Sequence, residues 1–178
     1  ISAITIGSVY YNYEKKNLLT EKQLELSAIS YLKIRQITQW RLERIGDGRF
    51  LGENVLFLKK LSEYLKKPAD LLLRNDILQS LKTLTENFDY NSALLLDNPG
   101  NVKLCYPSKD TLIADHLKPM LAGIIKQRKT VLSDLHRADL ISYVHIDLVI
   151  PLIDRSINDT LVLGLLALRI DPQKVLYP

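Results

Sequence analysis

The spacing of apolar residues changes at the stretch Asn91-Ser-Ala-Leu-Leu-Leu-Asp-Asn-Pro-Gly-Asn-Val-Lys-Leu-Cys-Tyr-Pro107. Before it, apolar residues recur at helical spacing, and after it the period falls to two. Two runs, 91–97 and 101–107, flank Asn98-Pro99-Gly100, and a Pro-Gly pair suits a type II turn. The stretch therefore predicts a β-hairpin, with helices before it and mostly strands after it.

Upstream of the hairpin, the segment from Val9 to Ile45 contains no Gly and no Pro and is rich in good helix formers. One face of the predicted helix carries large apolar residues at helical spacing: Leu19, Leu26, Ile29, Ile37 and Trp40. Gly46-Asp47-Gly48 is predicted to end or kink this helix. A break near Asn17–Thr20, with Thr20 capping a second helix, is the alternative.

A helix over residues 9–45 would be roughly 55 Å long, whereas a compact chain of this size has a radius of gyration of about 16 Å. We therefore expect the helix to continue toward a membrane or to pair with a second subunit. The start of the chain, apolar to Val9 and then Tyr10, Tyr11 and Tyr13 before two lysines, is typical of the end of a membrane helix. A short strand or an arbitrary start is the other interpretation.

Further elements follow from spacing and from capping residues. Asn54 precedes a helix predicted over 55–67, and Pro68 is predicted to open the next helix, to about Phe88. A helix over 114–129 and strands over 130–137, 142–153 and 160–170 complete the chain, with Pro151 indicating a bulge or a sheet edge. The predicted fold is α+β, a PAS-like five-stranded antiparallel sheet with additional helices. We expect an N-terminal stalk helix over 1–53 and the sheet module over 54–178.

Strand alternation gathers the candidate site residues. Asp134 and His136 share one face of their strand, and Tyr143, His145 and Asp147 share one face of the next. If these strands are neighbours, two imidazoles and two carboxylates converge. The convergence would suit a small-molecule pocket, a hydrogen-bonded polar cluster or a metal ion. Alternation alone does not establish the geometry that a metal requires, so no metal is assigned.

Several function classes lack their sequence signals. The single Cys105 excludes an internal disulfide and a four-thiolate zinc site. A net charge of +4 from 24 basic and 20 acidic residues is too small to indicate nucleic-acid binding. The nucleophile, metalloprotease and phosphate-binding motifs are missing from the sequence, so this chain is not predicted to be an enzyme, and no cofactor is assigned.

Five blocks of this sequence, in this order, resemble Cache (PDC) sensor domains of bacterial and archaeal receptors. They are residues 26–51, Val131-Leu-Ser-Asp-Leu-His-Arg137, His145-Ile-Asp-Leu-Val-Ile-Pro-Leu152, Leu165-Leu-Ala-Leu-Arg-Ile-Asp-Pro172 and Leu176-Tyr-Pro178. The first block is similar to the stalk helix of that family, and the blocks together span nearly the whole chain.

The resemblance implies an extracytoplasmic sensor between two membrane helices of a receptor, such as a sensor histidine kinase. It also implies a ligand against the sheet, near Asp134, His136, Tyr143, His145 and Asp147. The family's amino-acid-binding pattern cannot be matched here residue by residue, so the ligand is left unidentified. Relatives with these blocks often continue into a second, membrane-proximal module, which the printed sequence does not include.

The main hypothesis is therefore a domain whose ligand biases two arrangements of the stalk helix, with a homodimer formed through that helix. The alternatives are a cytoplasmic PAS- or GAF-like regulatory module and the sensor of a diguanylate cyclase. A stand-alone α/β enzyme has no motif in its favour.

Overall fold

The computed structural model describes residues 2–108, 113, 117–137, 143–155 and 161–176. The chain divides into two compact units, Ile1–Arg41 and Leu42–Pro178, so the division falls within the first helix. The elements in chain order are α1 (Ser2–Gly52), α2 (Val55–Lys66), α3 (Leu71–Asn87), β1 (Ser92–Leu96), β2 (Val102–Tyr106), α4 (Lys118–Gln127), β3 (Val131–Leu132), β4 (Ile146–Asp154), β5 (Leu161–Ile170) and α5 (Pro172–Val175).

The five strands form one antiparallel sheet in the order β2-β1-β5-β4-β3. This confirms the predicted α+β fold with a five-stranded antiparallel sheet and a long N-terminal helix. It also confirms the hairpin, which is β1 and β2. Its turn closes where the Gly100 N–H donates to the Asp97 carbonyl at 2.9 Å, and Gly100 adopts a φ of +92° that favours glycine.

The two faces of the sheet bury different partners. One face, called here the α4 face, packs Leu94, Val149 and Ala167 against Leu121 and Ile124 of α4. Side chains of opposite parity, such as Leu148 and Ile150, point to the other face, where α2, α3 and the end of α1 lie. The interiors of β1, β4 and β5 are therefore buried on both sides, which explains their nearly continuous apolar sequences.

Within the first unit, residues 2–39 are exposed. The predicted apolar face remains so: Leu19, Leu26, Ile29 and Ile37 are all exposed, and Trp40 is half-buried. The alternative break near Thr20 is not found, because the Thr20 hydroxyl donates to the Lys16 carbonyl at 3.0 Å, as in a helix interior. Among the helices described, none is both long enough and apolar enough to cross a bilayer.

Gly46-Asp47-Gly48 does not end α1, because the helix continues to Gly52. The reason is packing against the sheet. A Cβ at position 48 would lie 2.7 Å from Thr130 Cγ2, and one at position 52 would lie 2.7 Å from the Pro151 carbonyl oxygen. Gly48 and Gly52 thus permit close contact between the end of α1 and β4, which local helix propensity does not reveal.

The predicted start of α2 after Asn54 is confirmed, whereas the predicted start of α3 at Pro68 is wrong. The Asn54 side chain accepts a hydrogen bond from the Phe57 N–H at 3.1 Å. Pro68 lies in the connecting turn, and α3 begins at Leu71, because Asp70 accepts hydrogen bonds from the N–H groups of Leu72 and Leu73. An aspartate N-cap satisfies two free donors, which a proline cannot do.

The predicted third strand, 130–137, is shortened to Val131–Leu132 plus an isolated antiparallel bridge between His136 and His145. The helix predicted over 114–129 is described over Lys118–Gln127, and residues 114–116 lie outside the described residues. Pro151 is confirmed at an edge position. β3 pairs with β4 only at Leu148 and Val149, and β4 has a register irregularity just beyond Pro151.

The close approach of α1 to β4 predicts different effects of alanine at two glycines of the same helix. Gly52→Ala should lower the free energy of unfolding by about 1–3 kcal/mol, because the new methyl group meets backbone that cannot move aside. Gly46→Ala is the matched control, since a Cβ there meets nothing within 4 Å. It should raise stability by about 0.5–1 kcal/mol through helix propensity. Urea unfolding measures both, and equal effects would contradict the packing assignment.

Candidate functional site

A row of buried polar residues crosses the α4 face of the sheet. Ser92 of β1 lies opposite Arg169 of β5, and Arg169 lies opposite Asp147 of β4. Beyond the end of β3, the Ser133 N–H donates to the Asp147 carbonyl at 2.8 Å, and the Asp147 N–H donates to the Ser133 hydroxyl at 2.8 Å. All four residues are buried. The strand register therefore sets polar groups side by side in an otherwise apolar layer.

Asp147 and Arg169 form an ion pair inside the protein. Arg169 Nε lies 3.5 Å from Asp147 Oδ1, and both side chains are at most 1% exposed. Removing two charges from water costs several kcal/mol per ion, and their attraction roughly offsets that cost. Stability alone does not require such a pair, since apolar residues of similar volume would serve as well.

Two histidines complete the cluster from the edge of the sheet. His136 and His145 exchange main-chain hydrogen bonds of 3.0 and 2.9 Å, so their side chains lie on the same face, with ring centroids 4.3 Å apart. Asp147 Oδ2 lies 3.3 Å from His136 Nε2 and 3.8 Å from His145 Nε2. Tyr143 packs beside them, its ring centroid 5.6 Å from that of His145.

The two imidazoles have pKa values shifted in opposite directions. Burial alone would lower the pKa of His136, but its hydrogen bonds to Asp147 and to the Asp134 carbonyl outweigh this and raise it above the ordinary 6.5. Burial dominates at His145 and lowers its pKa, despite the attraction of the Asp147 carboxylate. When a proton enters this cluster near neutral pH, it therefore binds His136 first.

Three of the five residues predicted to bind a ligand meet in this cluster: His136, His145 and Asp147. Tyr143 lies at its margin, where it packs against the α4-face core. Asp134 does not converge with them. It is exposed, and its main-chain carbonyl, rather than its carboxylate, contacts His136 Nδ1 at 2.9 Å. The predicted alternation fails here because the chain leaves the regular strand after Leu132.

Three buried polar residues of the row were not predicted from the sequence: Arg169, Ser133 and Ser92. Arg169 had a usable signal, because it is a lone charge within the apolar run of β5, and a buried charge requires a partner. Its pairing with Asp147 depends on the register of β4 against β5, which spacing within one strand does not provide. Ser133 and Ser92 carry no such signal, since serine is common on exposed strands.

The cluster contains donors suited to a cation. One ligand atom from each of His136, His145 and Asp147 lies within 4.8 Å of the others. Elsewhere in the described structure, α2 borders two grooves of about 770 and 660 Å³. The residues that line those two grooves include none of the cluster. The cluster is therefore distinguished by its buried, mixed chemistry rather than by the volume of a surface groove.

Comparisons with known proteins show which fold this chain has but do not assign the chain to a family. No family model matches the sequence, and no curated protein matches it significantly. The structure is similar to the sensor domain of the V. cholerae histidine kinase DctB, with a TM-score of 0.64 at 13% identity, covering 90% of this chain. This chain spans 58% of the length of that domain. The likeness confirms, at the level of fold, the resemblance to Cache sensor domains.

Weaker similarity links the chain to the sensory domain of the Campylobacter jejuni chemoreceptor Tlp3. The structure with isoleucine bound has a TM-score of 0.43 at 12% identity, and the complex with L-valine a TM-score of 0.42 at 13% identity. Each match covers 80% of this chain and 64% of the other. The fold assignment rests on DctB alone.

Breaking the buried ion pair on one side should be costly. Arg169→Met leaves the Asp147 carboxylate buried without its guanidinium, and we expect the free energy of unfolding to fall by about 3–5 kcal/mol. Arg155→Met is the matched control, because Arg155 pairs with Glu53 at 2.6 Å on the surface, where such pairs contribute at most about 1 kcal/mol. Urea unfolding measures both. A loss at position 169 no larger than at position 155 would contradict the assignment.

The opposite pKa shifts predict opposite pH dependences for two histidine variants in EDTA. Because the pKa of His136 is raised in the folded state, its protonation stabilises the fold fully at pH values below the unfolded-state pKa near 6.5. This stabilisation is lost as the pH rises through the folded-state pKa. The advantage of wild type over His136→Gln should therefore shrink above that pH. The lowered pKa of His145 means that wild type should lose stability relative to His145→Gln as the pH falls below 6.5. Urea unfolding from about pH 5 to pH 8.5 tests both, and trends of the same sign would refute the assignment.

Proposed function

We propose that this chain is the extracytoplasmic ligand-sensing domain of a transmembrane signalling receptor, with a histidine kinase as the output. The observation that supports this is the buried cluster around Asp147, placed on the α4 face of a sheet whose fold is also that of a histidine kinase sensor domain. The chain itself has no proposed catalytic role. Its partner is a small molecule, bound near Asp134, His136, Tyr143, His145 and Asp147.

The chemistry of the cluster fits a small polar ligand. Arg169 carries a permanent positive charge, Asp147 carries a negative one, and His136 can gain a proton near neutral pH. A ligand with a carboxylate or an amino group would find a complementary charge in a layer with little water, where such contacts are strong. Retaining costly buried charges where apolar residues would suffice is typical of binding sites.

A route from the cluster to the stalk helix supports the transmission step. Asp147 is followed in β4 by Leu148, whose side chain points to the opposite face, and then by Ile150 and Pro151. These last three residues lie against Gly48 and Gly52 at the end of α1. A shift of β4 on ligand binding would meet the helix directly, and small helix shifts are a known means of signalling.

The organisation proposed for the receptor follows the sequence analysis. Residues 1–53 form the stalk and 54–178 the sensor module, with flanking membrane helices in the parent protein. We propose a homodimer through the stalk face of Leu19, Leu26, Ile29, Ile37 and Trp40. All of these except the half-buried Trp40 are exposed, and exposed apolar stripes on a helix usually mark a contact with a partner.

A thermal-shift screen of small carboxylates, amines and zwitterions tests the proposal. A ligand at a hundredfold excess over its Kd should stabilise the fold by about 2.7 kcal/mol, which is a rise in Tm of roughly 5–11 °C for a chain of this size. The shift should be lost in Asp147→Asn and reduced in His136→Gln, which disturbs a less buried group. Asp97→Asn, in the β1–β2 turn, is the control and should keep it.

Two results would contradict the proposal. One is a screen in which no compound shifts the wild type. The other is a hit whose shift persists in every variant that folds, because that ligand would bind away from the cluster.

A further inference from the structure

The geometry points to a binding site for a divalent first-row transition metal ion, such as Zn²⁺, formed by His136, His145 and Asp147. This inference names a ligand class for the site of the proposed sensor. It rests on the proposed function for its biological meaning only, because binding of the ion can be measured on its own.

The orientation of both imidazole rings is the first argument. His136 Nδ1 lies 2.9 Å from the Asp134 carbonyl, and His145 Nδ1 lies 3.3 Å from the Tyr143 carbonyl. A carbonyl oxygen can only accept, so each Nδ1 carries a hydrogen and donates it. In the neutral ring Nε2 then carries the lone pair. Metal-binding histidines are typically held in this way, with the other ring nitrogen bonded to a carbonyl.

The second argument is the convergence of lone pairs. His145 Nε2 is buried, has no hydrogen-bond partner among the described residues, and points toward Asp147 Oδ2 at 3.8 Å. The same carboxylate oxygen lies 3.3 Å from His136 Nε2. When both rings are neutral, the lone pairs of these three atoms face one another, and a proton or a metal cation between them relieves the repulsion.

The two distances from Asp147 Oδ2 to the imidazole nitrogens are close to those around a tetrahedral ion. Zinc binds imidazole nitrogen and carboxylate oxygen at about 2.0–2.2 Å, which places neighbouring ligand atoms of a tetrahedron roughly 3.3–3.6 Å apart. The observed separations of 3.3 and 3.8 Å from Asp147 Oδ2 span this value. Two imidazoles and one carboxylate leave a fourth position open, as in zinc sites that bind an exogenous ligand.

The surrounding structure would hold these ligands in place. His136 and His145 are a directly hydrogen-bonded pair across two antiparallel segments, and Asp147 follows two residues later on the same face. Arg169 approaches the other oxygen of Asp147, Oδ1, and so leaves Oδ2 for the metal. Groups that orient metal ligands in this way raise affinity by 10- to 100-fold in other sites.

The charge of the site has a consequence for the open position. A divalent ion together with Arg169 exceeds the single charge of Asp147 by two positive charges. In a buried site this excess favours an anion as the fourth ligand, either hydroxide or a small carboxylate. The metal would thus connect the cluster to an anionic signal molecule.

Isothermal titration of the EDTA-treated, desalted full chain with ZnCl₂ tests the inference. We expect one ion per chain with a Kd of about 1 μM or lower, and at least a tenfold weaker Kd in His145→Gln and in His136→Gln. Asp97→Asn is the control and should bind as wild type does, and circular dichroism establishes that each variant folds. Co²⁺ in place of Zn²⁺ should give the visible absorption of a four-coordinate ion, and lose it in both histidine variants.

The inference fails if wild type binds no zinc below about 100 μM, in which case a proton alone neutralises the cluster. It also fails if both histidine variants bind as wild type does. These results are separable from those of the thermal-shift screen. A small molecule that binds the EDTA-treated chain in the absence of zinc binding would support the sensor and exclude the metal. Zinc binding by a chain that no organic compound stabilises would support the metal site and contradict the proposed ligand-sensing function.

Discussion

The buried pair of Asp147 and Arg169 constrains the rest of the sheet. The two residues lie opposite each other on β4 and β5, which make the most extensive strand pairing in the sheet. A slip of one strand by one residue would turn one charge to the opposite face and leave both desolvated without a partner. The cost of several kcal/mol is comparable to the whole stability of a domain this size, so the pair specifies the register.

That register in turn arranges the site. Because Arg169 holds one oxygen of Asp147, the other oxygen faces the two histidines. Ser133 binds the main chain of Asp147 from the opposite side and leads the chain out of β3 toward His136. The cluster is therefore assembled from strands that are distant in sequence, while the α4-face core covers the same layer with apolar residues.

Local signals in the sequence predicted those parts of the fold that local physics determines. The hairpin follows from Pro99-Gly100 and its flanking strands, and Asn54 marks the start of α2. The prediction was wrong where tertiary contacts prevail. Gly48 suggests a helix end by propensity, but here it permits contact with Thr130, a residue distant along the chain.

In the candidate site, too, local sequence patterns predicted some features, whereas tertiary contacts determine the others. Alternation correctly placed His145 and Asp147 on one face, because they lie two residues apart along one extended segment, and His136 joins them through its bridge with His145. It misplaced Asp134, because the end of a strand depends on its pairing partner, and β3 pairs over only two residues. It could not find Arg169, whose role exists only through a neighbour on another strand.

The short β3 also bears on how the molecule behaves at high concentration. An uncovered strand edge offers free N–H and C=O groups to other chains, and such edges promote aggregation. Asp147 directs its main-chain groups toward β3, so by alternation Pro151 directs its own toward the same edge, beyond the first residue of β3, where Gly52 of α1 also approaches the Pro151 carbonyl. Proline has no N–H to offer there, and the adjoining register irregularity interrupts the ladder further. This portion of β4 is thus poorly suited to recruit a strand from a neighbouring molecule, which helps the domain stay dispersed in a crowded compartment.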